Sequence, residues 1–482
     1  MDSLTEAVLR GAPADELEKA PVPEDFVAAH IRQEDAGLFD GAADPDVRRS
    51  LRVGRVPMPA LAPDEVLVAV MASSINYNTV WSATFRPVST FGALKRFARG
   101  GGYPARHDQP YQVVGSDAAG VIVRVGAGVR RWKVGDHVAV NAAVVDDQDP
   151  VTHHDGMLGA DQKAWGYETN FGGLAHYTVV RASQLLRKPA HLTWEEAACV
   201  PLCGGTAYRM LVSDRGARIK QGDIVLIWGA TGGLGAFAVQ LVKNGGGIPV
   251  GVVNSEEKAK LLTRLGCDVV INRTEIGIGG QVSPGADTVE LAKRLGRAVR
   301  AELGEDPHVV FDHVGRATFG ISVIVARRGG TVVTCGSSTG YEHSFDNRYF
   351  WMNLKRIVGS HGMNLHEAAE MMRLLELGAV APVLSEVYPL AEVGEAARLV
   401  QRNRHTGKVG VLALAPTPGL GVTNPRARAA LGEEWLNPLR TAPSPSAPSP
   451  STLSPSALSP SALSPHAPSA SAPTDGRPIT VG

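Results

Sequence analysis

Apolar residues recur along this chain in two different rhythms. From residue 51 to about 187, short runs rich in valine and alanine alternate with glycine turns, as in EVLVAVMASSIN, QVVGSDAAGVIVRVG and VGDHVAVNAAVV. Each run has strand length and turn residues separate them closely, so residues 51–193 are predicted to form an irregular, mostly β barrel. From Trp194 the rhythm changes. IVLIWGA, IPVGVV, VVFDHVG and TVVTCGS are apolar runs separated by stretches of helical period. Buried strands joined by helices predict a parallel, doubly wound sheet over residues 194–345. Near Asp346 the texture shifts to RYFWMNLKRIVGSHGMN, and helix-like and strand-like pieces follow to about Leu414. Residues 346–440 are therefore expected to rejoin the first domain. Residues 1–50 are charged and poorly periodic and read as a helical N-terminal extension. Residues 441–482 are a Ser/Pro/Ala low-complexity tract, expected to be a disordered tail without a part in the chemistry.

Composition narrows the class of protein. Over 482 residues, 44% are hydrophobic and 20% charged, as in soluble globular chains. Lys+Arg and Asp+Glu balance at 48 each, so no basic excess points to nucleic acid or to an anionic membrane. The N-terminus lacks the apolar core of a secretory signal. Residues 224–242 carry no charge, but glycines interrupt them inside a phosphate-loop pattern, so they are not read as a membrane span. Cys199, Cys203, Cys267 and Cys335 include no Cys-x-x-Cys pair. That pattern argues against a structural zinc and for a reduced, cytoplasmic setting. Cys199 and Cys203 read as small packing residues. His153-His154-Asp155 lies in a polar stretch without a third ligand at sensible spacing and reads as solvated surface.

The run IVLIWGATGGLGAFAVQLVK carries the first candidate chemistry. A buried strand enters Gly229, Ala230, Thr231, Gly232, Gly233, Leu234 and Gly235, and a helix leaves. Glycines let backbone amides approach a pyrophosphate, and the helix N-terminus favours its charge. A site for NAD usually has an Asp or Glu at the end of the second strand, to hold the ribose 2′-hydroxyl. After IPVGVV this chain has Asn254 and Ser255, then Lys258, with Glu256 and Glu257 between. A hydroxyl and an ammonium suit a 2′-phosphate, so the cofactor is read as NADPH.

A second stretch, WGYETNFGGLAHYTVV, sets the carboxylate of Glu168 among aromatic, glycine and apolar residues. A carboxylate there is costly unless paired or used. The pattern GSDAAGVIVRVG…VGDHVAV followed by GATGGLG resembles the medium-chain dehydrogenase/reductase superfamily, and the missing zinc ligands place it with the zinc-free branch. SSINYNTVW, WGYETNFGG, VPLCGGTAYRML and GSHGMN, four blocks in order, narrow the resemblance to the crotonyl-CoA carboxylase/reductases over roughly residues 20–435. The resemblance implies an α/β protein with a GroES-like, mostly β catalytic domain and a Rossmann NADPH-binding domain, assembled as a homotetramer or homodimer. It also implies hydride transfer from NADPH to C3 of a 2-enoyl-CoA. The thioester enolate then attacks CO2 through C2 to give an alkylmalonyl-CoA. By motif match, Asn78 in INYN, Glu168 in GYETN and His361 in GSHG surround the CO2. Tyr167 stands where the family's aromatic is usually Phe. An amide and an imidazole that donate to a forming carboxylate suit this chemistry. A dry site protects the enolate from protonation.

The family pattern has a bulky aliphatic residue before the tryptophan of WGYETN and a Phe after the histidine of GSHG. This chain has Ala164 and Gly362. The pair predicts room for hexenoyl or octenoyl chains, with products of the polyketide extender-unit type. Arg348 and Lys355, with Arg328 and Arg327 behind them, are the candidate cations for the CoA phosphates. Thr206, Gly336 and Ser337 are expected to border the cofactor. Two other readings stay open: a plain enoyl-CoA or quinone reductase, and a non-catalytic NADPH-binding scaffold.

Overall fold

The computed structural model describes residues 2–278 and 287–440; the expected tail lies outside them. A seven-stranded sheet is centred on the strand Glu65–Ser74, which is buried along its whole length. It pairs antiparallel with Ala119–Val125, Tyr177–Arg181 and Lys408–Leu412. The approach to Ala119–Val125 is close: a Cβ on Gly120 would lie 2.1 Å from the Ala69 carbonyl oxygen.

The second sheet has six strands, all in parallel pairs. Its order is Val269–Asn272, Ile248–Val253, Ile224–Ile227, Val309–Phe311, Thr331–Thr334, Arg356–Gly359. The chain direction across the sheet reverses beside Ile224–Ile227, and a doubly wound fold opens its ligand crevice there.

Two expectations need correction. The boundary at residue 345 falls inside the second sheet, because Arg356–Gly359 pairs with Thr331–Thr334 and closes its edge. The helix Leu365–Glu376 then packs on Pro201–Leu211 of the same half. Only Leu384–Pro389 and Lys408–Leu412 return to the first sheet. Residues 1–50 are also more than a helical extension. After the helices Ser3–Leu9 and Ala14–Lys19 comes a strand, Asp25–Arg32, paired with Arg52–Pro57 and Tyr111–Val113. Its period of two explains why: Phe26 and Ala28 enter one apolar cluster, Ala29 and Ile31 another. The helices are tied down as well, with Thr5 Oγ1 2.7 Å from the Tyr177 hydroxyl.

Candidate active site

The apolar strand Ile224–Ile227 delivers the chain to Gly229, whose φ of +59° is a conformation that side chains avoid. Gly232 follows and caps the helix Gly233–Asn244. A Cβ on Gly235 would lie 2.3 Å from the Gly229 carbonyl oxygen, so the turn closes only with glycine there. Gly229, Gly232, Gly233 and Leu234 line a cavity of about 820 Å³. Ala230 is fully buried, and with Gly235 it lies behind that wall and shapes the turn. The first amides of the helix have no intrahelical acceptor, which makes this end an anion site.

Lys258 and Arg273 lie at one end of the same cavity. Burial, and then the neighbouring guanidinium of Arg273, pull the Lys258 pKa down. Two cations brought together in this way fit a phosphate on the ribose. Ser255 is not on the wall; its hydroxyl caps the helix Glu256–Arg264 by accepting the Lys258 amide at 3.3 Å. Thr206, Gly336 and Ser337 do line the cavity. His313 and His405, which the motifs did not single out, join them with buried ring nitrogens (Nε2 and Nδ1) that lack a hydrogen-bond partner. A dinucleotide phosphate fits this set of free amides, paired cations and unpartnered imidazole nitrogens.

Asn78, Tyr167, Glu168 and His361 line the cavity too. Asn78 lies on the helix Tyr77–Thr84 and donates through Nδ2 to Ser116 Oγ at 3.3 Å. The Glu168 carboxylate accepts the Ala164 amide at 2.9 Å, while the Glu168 amide donates to the Ala164 carbonyl at 2.8 Å. This double tie is how the loop accommodates a carboxylate among apolar neighbours. The Tyr167 ring sits 6.1 Å from that of Trp81. Burial, then Tyr341 and Glu168, push its hydroxyl up to about 12, so it stays protonated. His361 is exposed, and Asn78 and Glu168 are half-buried.

The floor of the cavity holds a group that sequence reading missed. Lys408 Nζ donates to Asn76 Oδ1 at 2.5 Å, the Ile75 carbonyl at 2.9 Å and Asp117 Oδ2 at 3.0 Å. Asp117 also accepts from Ser74 and Asn76 and from the Leu202 amide. Burial works against the charge of Lys408, but Cys203 and Asp117 beside it hold its pKa above the ordinary value. The only sequence signal was a lysine opening an otherwise apolar strand, KVGVL.

Ala164 and Gly362 both line the cavity. The expected phosphate cations do not. Lys355 is buried and donates to the Val323 and Ile324 carbonyls at 2.7 and 3.0 Å, capping the helix Phe319–Val325. Burial pulls its pKa down to about 8. Arg328 donates to the Met352 carbonyl, and Arg327 faces Glu305. Arg348 is exposed on the short helix Asn347–Trp351 and pairs with Asp346. Asp155 is buried, contrary to the surface reading of its motif, while His153 and His154 are exposed.

Residues 62–190 match the alcohol dehydrogenase GroES-like domain family, and residues 233–377 the zinc-binding dehydrogenase family. Despite the second description, no group of three or more His, Cys, Asp or Glu among the described residues is placed to hold a metal ion. The chain is 49% identical over 412 residues to a crotonyl-CoA reductase of Streptomyces avermitilis, covering 85% of this chain and 93% of the relative. It is 40% identical to a crotonyl-CoA carboxylase/reductase of Cereibacter sphaeroides, over 83% of this chain and 90% of that one. A solved 2-octenoyl-CoA carboxylase reductase, in complex with NADP and 2-octenoyl-CoA, superposes with a TM-score of 0.89. It is 66% identical and covers 91% of this chain and 99% of its own.

Proposed function

The chain belongs to the crotonyl-CoA carboxylase/reductase family of the medium-chain dehydrogenase/reductase superfamily, and from that premise we propose that it carboxylates medium-chain 2-enoyl-CoA thioesters reductively, with NADPH, to alkylmalonyl-CoA. NADPH, when bound, supplies the hydride. The amides at the start of Gly233–Asn244 hold its pyrophosphate, and Lys258 with Arg273 holds the 2′-phosphate.

Reduction at C3 of the enoyl thioester places the electron pair on C2 as an enolate. That pair forms the new bond to the carbon of CO2, and one C–O π pair becomes the carboxylate charge. The Asn78 amide and the His361 imidazole donate to this developing charge. Glu168, fixed on Ala164, sets the loop that carries Tyr167. Positioning of three reactants in one cavity replaces any covalent nucleophile.

One observation carries the chain-length reading: Ala164 and Gly362 line the same cavity as His361 and Glu168. Each buried methylene of a longer acyl chain contributes about 0.8 kcal/mol in such a space. Hexenoyl- and octenoyl-CoA are accordingly the preferred substrates, and the products suit polyketide extension. Arg348 remains the candidate cation for the CoA phosphates. A homo-oligomer in the cytoplasm is the expected setting.

The test is NADPH oxidation with 2-octenoyl-CoA and with crotonyl-CoA, with and without saturating bicarbonate, and products identified by mass. Bicarbonate-dependent carboxylated product, with octenoyl-CoA at least as good as crotonyl-CoA, is the expected result. One competing reading is plain reduction, in which water protonates the enolate. Reduced but uncarboxylated product at saturating bicarbonate would establish that reading instead.

A further inference from the structure

We propose that a buried charge cluster, Asp155–Arg209–Glu367, is the positioning device that fixes the acyl-chain wall of the cavity; this rests on the substrate reading above. The three residues are 5%, 5% and 4% exposed. Arg209, on the helix Pro201–Leu211, donates to Asp155 Oδ2 at 2.6 Å and to Glu367 Oε2 at 2.9 Å. No member of the cluster lines the cavity.

The cluster clamps two segments that do. Asp155 Oδ1 accepts the Met157 amide at 3.1 Å and Asn364 Nδ2 at 3.2 Å. Asn364 is further locked to Glu367 by reciprocal bonds of 2.8 Å that cap the helix Leu365–Glu376. One carboxylate thus anchors the turn carrying Met157 and the turn that follows Gly362. The two meet inside the cavity: a Cβ on Gly362 would lie 3.0 Å from the Met157 methyl carbon. The room left by Gly362 is bounded by Met157, a flexible thioether whose backbone the cluster holds in place.

Stability alone does not account for such a cluster. Two buried carboxylates share the Arg209 guanidinium, with the exposed Arg215 3.9 Å from Asp155, and Arg209 Nε is buried without a partner. Apolar residues of similar volume usually serve a core as well or better. What the charges add is a fixed register between a loop of the barrel half and a helix of the cofactor half. A crotonyl group ends one methyl beyond the reacting carbons, whereas an octenoyl chain carries four more methylenes, which the substrate reading sets against the wall that Met157 and Gly362 form. The cluster therefore acts on long chains more than on short ones.

The experiment compares the wild-type enzyme with Asp155→Asn, Arg209→Lys and Met157→Ala, using crotonyl-CoA and octenoyl-CoA at saturating NADPH and bicarbonate. The expected result is a fall of about tenfold in the octenoyl-to-crotonyl ratio of kcat/KM. The loss sits in the KM for octenoyl-CoA, and the NADPH Kd is unchanged. A ratio within twofold of wild type, or equal losses on both thioesters, would overturn the clasp. Should one cluster variant fail to fold, the other decides, and Met157→Ala, at a half-buried position outside the ion pairs, tests separately whether the thioether bounds the acyl chain. A wild-type preference for crotonyl-CoA would sink the chain-length reading, yet the shift in ratio would still test the clasp. Wild-type turnover with neither thioester would overturn both.

Discussion

At Gly362 the backbone φ is +53°, and the space beside it ends at Met157. Gly362→Phe fills that space, moves the Met157 thioether and forces a bulky residue into the left-handed region, at about 1–2 kcal/mol of strain. Octenoyl-CoA exceeds crotonyl-CoA by four methylenes, together worth about 3 kcal/mol when buried. The variant is expected to lose roughly a hundredfold in kcat/KM for octenoyl-CoA while retaining most of its crotonyl-CoA activity, as steady-state kinetics would measure. His405 offers a pH test. Burial, then Lys408 and Lys258, pull its pKa from 6.5 down to about 4. Between those values the unfolded chain binds a proton that the folded chain does not. The stability that the neutral ring permits is complete above pH 6.5 and lost as pH falls through 4. His405→Gln removes this dependence, so denaturant unfolding between pH 6.5 and 4 should show a shallower loss of stability than wild type. Single residues were legible where chemistry is tied to a motif, as at Asn78 and His361, which the structure brings to one cavity. They were misread where charge alone was the signal. Lys355 has the right charge for a phosphate, but the open carbonyls of a helix end lie closer. Asp155 sits among polar letters, and nothing in them announces an arginine 54 positions away in the chain.

The glycine turn and its helix act as one element. Gly235 is not in the cavity, yet a Cβ there meets the Gly229 carbonyl at 2.3 Å. Gly235→Ala must therefore displace the loop backbone that presents the amides. The prediction is a weakening of NADPH binding by more than tenfold, with the far-ultraviolet circular dichroism unchanged, checked by fluorescence titration. The core strands were readable because short, continuous apolar runs bounded by turn residues have few other fates. Ile224–Ile227 and Val309–Phe311 are buried at every position. The edge strands were not. Arg356–Gly359 has no fully buried residue and follows an aromatic stretch, so its apolar signal is two residues long. Asp25–Arg32 is framed by charge, and its alternation is visible only once two separate cores flank it.

In the whole molecule the cofactor half and the barrel half are joined beside the reacting centre. The Gly407 amide donates to the Thr231 carbonyl at 2.6 Å, linking the phosphate loop to the strand that carries Lys408. Lys408 then ties that strand to Asn76 and Asp117 of the barrel. NADPH binds only the assembled form, so it should raise the melting temperature of the protein. At a hundredfold over its Kd the gain is about 2.7 kcal/mol. NADH, which lacks the phosphate suited to Lys258 and Arg273, should produce a smaller rise at equal concentration in a scanning calorimeter. Equal rises would mean that these two cations do not read the ribose.

Cys203 and Cys335 line the cavity in which an α,β-unsaturated thioester is expected to sit. Such thioesters are electrophiles toward soft nucleophiles, and a thiolate at either position would add to the alkene and disable the protein. Burial, followed by Cys203 and Asp312, pushes the Cys335 thiol up to about 12, and burial raises Cys203 despite the opposing pull of Lys408. Both therefore remain thiols at neutral pH, poor Michael donors beside a Michael acceptor. The protein should keep its intact mass after hours with octenoyl-CoA in the absence of NADPH, since its own low-dielectric walls protect it from covalent inactivation by its substrate.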